Sequence, residues 1–131
     1  MKRDLASIIL TRQELQIMKE VWKLGSATVN DVCKAISQRK PTAYTTILTL
    51  MGILEEKGAL AHSRPGRAYV YRPLLSRHQA TKNQIDDVLA RFFESDPQKL
   101  VEYVVESEIM GPEQMENVRR LLNARREHQV A

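Results

Sequence analysis

The sequence predicts a mostly α, α+β chain. A winged helix-turn-helix is expected over residues 1–75 and a C-terminal helical dimerisation region over residues 76–131. Three observations predict this. Two amphipathic patterns are joined by a turn of about four residues, the layout of a helix-turn-helix. The period then switches to short β-prone runs on either side of "RPGR", which reads as a hairpin. After Pro73 every segment is helical again, each with one apolar stripe.

"LTRQEL" opens the first helix with Thr11 as N-cap and Glu14 three residues on, a capping box. Leu10 and Leu15 stand at the positions of a hydrophobic staple. Leu15, Met18, Val21 and Trp22 form its inward face, and Gly25 ends it. The second helix starts at "TVND", where Thr28 and Asp31 form the same box; Val29, Val32 and Ile36 face inward. Pro41 disfavours helical geometry at Lys40, so this helix stops around residues 37–39. The third helix is expected from Thr42 to Lys57, with Gly58 as C-cap and Ile47, Leu50, Met51 and Leu54 inward. In the hairpin, Pro65 and Gly66 suit the central positions of a type II turn, which leaves Arg64 and Arg67 at its tip.

Ser76 and Gln79 form a further capping box, opening a helix that runs to Glu94 with Val88, Leu89, Phe92 and Phe93 on one side. Asp96–Pro97 supplies an N-cap and an N1 proline. The helix that follows carries Leu100, Val101, Val104 and Val105. Gly111–Pro112 starts the last helix, with Met115, Val118, Leu121 and Leu122 ahead of a charged tail, "NARREHQVA". Three short helices bury too little surface to stand alone. Their stripes must pack either on the N-terminal domain or on a second copy. The second copy is the expectation, which makes Leu89, Phe92, Phe93, Leu100, Val101, Val104, Val118, Leu121 and Leu122 the candidate contacts of a homodimer.

The 131 residues carry a net charge of +4, unevenly spread. Residues 1–75 hold twelve Lys and Arg against six Asp and Glu, and residues 76–131 eight against ten. A polyanion is therefore expected to meet the first half only. The single cysteine, Cys33, excludes an intramolecular disulfide and reads as a packing residue. His62, His78 and His128 share no metal-like spacing, and no nucleophile motif, phosphate-cradling glycine loop or HExxH occurs. No cofactor, no metal and no enzymatic activity are expected. The early apolar run "IIL" is far too short for a signal peptide or a membrane span, so a cytoplasmic chain without membrane insertion is expected.

The stretch "PTAYTTILTL" is an unusual start for a helix, because threonine's branched carbon restricts χ1 against the preceding turn. Thr42, Tyr44, Thr45, Thr46 and Thr49 fall on its N-terminal, outward side. Short hydroxyls donate to phosphate oxygens, and threonine methyls can touch the thymine methyl. The second helix of a helix-turn-helix enters the major groove N-terminus first. The expected DNA-binding set is therefore Lys40, Thr42, Tyr44, Thr45, Thr46 and Thr49, with Arg64 and Arg67 on the wing and Arg39 as a backbone contact. Two other readings stay open: a winged-helix module that docks another protein through Tyr44 and the threonines, and a ligand-sensing regulator with a pocket between wing and dimer helices.

"AYTTILTLMGILEEKGAL" (43–60), followed by "GRAYVYRPLLSR" (66–77), resembles the penicillinase repressor family, BlaI/MecI-like. "LTRQELQIMKEVWKLGSATVNDV" (10–32) is similar to that family's first two helices. The resemblance implies a homodimeric winged-helix repressor that binds a palindromic operator and keeps resistance or stress genes off. It implies that Thr45, Thr46 and Thr49 are recognition-helix contacts and that Arg67 lies on the wing. It also implies induction through a membrane metallopeptidase sensor, with cleavage of the repressor in its C-terminal region. The position matching the family's Asn-Phe bond falls at Tyr103–Val104, a different pair. Ile53 stands where relatives often carry Arg or Lys, and Gly52 is weak in a mid-helix position. No C-terminal cysteine cluster of the copper-responsive kind is present.

Overall fold

The structure, a computed structural model, describes residues 4–130, with side chains through His128. A 3₁₀ turn, Leu5–Ser7, precedes three helices, α1 (Arg12–Leu24), α2 (Val29–Ser37) and α3 (Tyr44–Lys57). The antiparallel pair β1 (Leu60–Ser63) and β2 (Val70–Pro73) follows, then α4 (Arg77–Phe92), α5 (Pro97–Glu106) and α6 (Pro112–Val130). This is the predicted mostly helical winged fold. The chain divides into two compact units between Asp87 and Val88, inside α4.

Local capping sets most helix starts. Thr11 Oγ1 accepts from the Glu14 N–H at 3.2 Å while Glu14 Oε1 accepts from the Thr11 N–H at 2.8 Å. Thr28 and Asp31 repeat the exchange at 3.1 and 3.0 Å. Gly58 ends α3 at φ 92°, a conformation that only glycine adopts without strain. In the first unit, α1, α2, α3 and the hairpin surround a core of Ile17, Met18, Val21, Val32, Ile47, Met51, Leu54, Leu60, Tyr71 and Leu75. Truncating one of its large residues to alanine costs about 2–5 kcal/mol. Ala27 and Tyr71 exchange backbone hydrogen bonds at 2.9 and 2.8 Å, so the loop before α2 braces β2.

Several expectations are corrected. Thr42 lies outside α3: its Oγ1 donates to Lys40 O at 2.9 Å, and the N-cap position falls to Ala43, which has no side chain to cap with. Pro65–Gly66 does not form a type II turn. The positive-φ glycines are Gly25 and Gly58, and the strands are joined by a longer loop over 64–69 that closes through Arg64 Nε donating to Arg67 O at 3.2 Å. Among the described residues only the Ser76 half of the third capping box forms, and the Gln79 side chain turns to Asn83, its Nε2 donating to Oδ1 at 2.7 Å. The charged tail continues α6 rather than following it. Within α1, Ile17 is buried and Leu15 only half-buried, which rotates the inward face from the expected one.

Candidate nucleic-acid interface

Everything at this site depends on how α3 is presented. Ser37 and Cys33 on α2 reach across the turn to Thr42: Ser37 Oγ and the Cys33 thiol donate to Thr42 O at 3.3 and 3.4 Å, and the Thr42 N–H donates to Ser37 Oγ at 3.3 Å. Cys33 is thus a half-buried packing residue that also steadies the turn. With the turn fixed, α3 begins at Tyr44 without a side-chain cap, although α1, α2, α4 and α5 all have one. Uncapped N–H groups and the helix dipole leave an electropositive end facing outward.

Ile47, Met51 and Leu54 point into the core, so the opposite side of α3 faces solvent. Thr45 and Thr49, one turn apart, occupy the centre of that face, with Gly52 and Ile53 continuing it. All four are exposed. Three shallow clefts surround the first turns of the helix. Thr45, Thr46 and Thr49 share one of about 330 Å³ with Gln13 of α1. Lys40, Thr42 and Thr46 line a second, of about 610 Å³, with Arg12, Gln13 and Gln16. Tyr44, Arg64 and Arg67 line the third, of about 440 Å³, with Asn30, Leu48 and Tyr69. No aspartate or glutamate lines any of them.

The wing carries a ladder of stacked side chains. The Arg64 guanidinium lies 5.6 Å from the centre of the Tyr69 ring, and Tyr69 stacks on His62 at 4.2 Å and 16°. His62 Nδ1–H donates to the Glu55 carboxylate of α3 at 2.6 Å, which ties wing to helix. Arg67 and Lys40 have no ion-pair partner among the described residues, so their charge is available to a ligand. Arg39 lies 3.4 Å from the buried Glu20 carboxylate, yet its side chain is 62% exposed and lines the cleft shared by Lys40 and Thr42.

The predicted site residues therefore fall on two flanks of one helix, and Thr45 and Thr49 crest the ridge between them. Sequence reasoning missed Gln13, Gln16 and Asn30. Their polarity at the starts of α1 and α2 is an ordinary surface pattern; only the packing of three helices brings it beside α3. Leu48 and Tyr69, both exposed, were missed as well, because nothing in the local pattern shows that α3 and the wing bring them into one cleft.

The family model described as penicillinase repressor matches residues 10–124. The chain is 29% identical over 109 residues to the penicillinase repressor of Bacillus licheniformis, covering 83% of this chain and 85% of that one. It is 30% identical over 112 residues to the transcriptional regulator BlaI of Mycobacterium tuberculosis, covering 83% and 79%. Among solved structures, it is similar to the DNA-binding domain of the repressor BlaI, with 35% identity and a TM-score of 0.52, over 60% of this chain and 93% of that one. It is also similar to monomeric Bacillus licheniformis BlaI in complex with the blaP half-operator, with 34% identity and a TM-score of 0.50, over the same shares.

Proposed function

The chain belongs to the penicillinase repressor family, and from that premise we propose that it is a transcriptional repressor that binds a palindromic double-stranded DNA operator as a homodimer. Residues 1–75 serve as the DNA-binding part and 76–131 as the dimerisation part. The observation that carries the reading is the first two turns of α3. They present Thr45, Thr46 and Thr49 on an uncapped helix end, between two clefts lined by Arg and Lys side chains and by no carboxylate. That chemistry suits phosphates and base edges in a major groove.

Dimerisation is supported by apolar side chains left without cover. Phe92 is 68% exposed, Val101 57%, Leu121 69% and Leu122 62%, while Leu89, Phe93, Leu100, Val104 and Val118 are buried or half-buried. A second copy of the same helices would cover them. Regulated genes of the resistance or stress class, and derepression through a membrane metallopeptidase sensor acting indirectly, complete the proposal. The candidate cleavage bond Tyr103–Val104 lies in the last turns of α5, so cutting there requires that helix to open. Among the described residues no helix is long and apolar enough to cross a membrane.

A ligand-sensing regulator is the second reading; the cleft that favours it, about 470 Å³, lies between α1 and α4 rather than beside the wing, and is lined by Leu15, Trp22 and Ile85 together with Lys19, Arg77 and Gln84. Titrating the full-length chain onto a fluorescent fragment from upstream of its own gene, at two salt concentrations, tests the operator reading. Tight binding to that fragment, competed poorly by unrelated DNA, is expected. Equal affinity for both DNAs, or none, removes it.

A further inference from the structure

The edge of α3 that faces the wing is not polar. Tyr44 and Leu48, one helical turn apart, are 49% and 44% exposed. They line the wing-side cleft with Arg64, Arg67 and Tyr69. Leu48 contributes little to the core, which Ile47, Met51 and Leu54 fill from the other side of the helix. The same edge continues four residues later at Gly52, where an added Cβ would meet nothing within 4 Å. Glycine weakens a helix interior, and no neighbour within the chain demands it here. The edge is thus apolar, then bare, and it borders the hydroxyl-bearing centre of the outward face.

In a major groove the apolar group available to such an edge is the 5-methyl of thymine. We propose that Leu48, with Tyr44 beside it, is a specificity-determining contact for thymine methyl groups in the operator. This rests on the reading of α3 as the recognition helix. The division of labour follows from chemistry. Threonine hydroxyls and wing arginines respond to acceptors, which every phosphate and many base edges supply. A leucine responds only to apolar area, so a thymine opposite Leu48 removes its methyl and the leucine terminus from water together. A cytosine or uracil there leaves both sides of the contact without that gain. Thr45 and Thr49 also carry methyls on this face, so the test must separate Leu48 from them.

The experiment uses the full-length chain and a pool of randomised duplexes. The most enriched duplex is resynthesised with 2′-deoxyuridine replacing thymidine at one position at a time, which deletes the methyl and keeps the hydrogen-bonding edge. For the unaltered protein, one or two replacements in each half-site are expected to weaken binding about three- to tenfold. Leu48→Ala should bind the thymidine and deoxyuridine duplexes within about twofold of each other, while Leu48→Met and Thr49→Ala keep the original sensitivity. An unaltered protein indifferent to every replacement overturns the inference, and so does a Leu48→Ala protein as sensitive as the original. A pool that yields no enriched duplex overturns operator binding itself and takes this inference with it.

Discussion

The Lys57 ammonium lies 2.7 Å from Glu14 Oε1, joining the last turn of α3 to the first turn of α1 across 43 residues of chain. The same ammonium donates to Ile9 O at 3.3 Å, so both ends of α3 are held, one by this contact and one by the Thr42 turn. Burial pushes the Glu14 carboxyl up, but Lys57 and the hydrogen bonds from Thr11 outweigh it and hold the carboxyl below its ordinary value. A depressed carboxylate stabilises the fold above its unfolded value and loses that contribution as pH falls through the folded one. Glu14→Gln should therefore cost about 1.5–3 kcal/mol at pH 7. The gap should narrow as pH is lowered from 7 to below the ordinary glutamate value of 4.5, as the unaltered protein loses its advantage. Urea unfolding at both pH values measures this; a gap of constant size would show that the charge is not responsible.

Thr49→Ala removes a hydroxyl from the crest of α3, where it supports no neighbour, so thermal stability should hold. Operator affinity should fall by about 1–3 kcal/mol if a base is lost. Arg67→Ala should weaken binding to all sequences alike and flatten the log–log salt dependence by about one unit. Anisotropy titrations over a salt series separate the two effects.

His62 joins the Tyr69 stack to the Glu55 carboxylate, and so positions the wing tip relative to α3. His62→Ala should lower stability by about 0.5–1.5 kcal/mol, the range of an aromatic pair. It should also expose residues 64–69 to proteolysis and reduce DNA affinity although it removes no residue lining the clefts around α3. Limited proteolysis with unchanged cutting in that loop would mean that the ladder does not hold the wing.

Gly52→Ala offers opposite signs in two assays. An alanine there meets no neighbour, so the helix should gain about 0.5–1 kcal/mol. Affinity for DNA should fall, because the new methyl stands on the outward face proposed to enter the groove. Unchanged affinity would place the DNA away from the third turn of α3.

Leu121→Glu puts a charge on an apolar position that is already exposed in the single chain, so the fold should survive. Sedimentation should show a dimer for the unaltered chain and a monomer for the variant. Binding to a full palindrome should weaken far more than binding to a half-site, since only the former gains from linked sites.

Capping boxes at Thr11 and Thr28, the glycine end at Gly58 and the Asp96–Pro97 start were legible in the sequence because each is a contact within three or four residues. The hydroxyl set on α3 was legible for a related reason: helical periodicity alone separates Thr45 and Thr49 from Ile47 and Met51. Where local pattern competed with packing, it failed. Thr42 looked like the start of α3, but Ser37 and Cys33 hold it in the turn. Gln79 looked like half of a box, but Asn83 draws it away while donating to Leu5 O and Ile8 O at 2.7 and 2.9 Å.

By itself, then, the sequence determined the order of elements, the inward stripes of most helices and the hydroxyl-rich face of the third, all properties of spacing along one segment. Tertiary structure alone decided that Arg39 pairs with Glu20, that Gln13 and Asn30 flank α3, and that Leu48 lines a cleft with the wing. Those pairings join residues far apart in the chain, and no periodicity in a sequence records which distant side chain will arrive beside another.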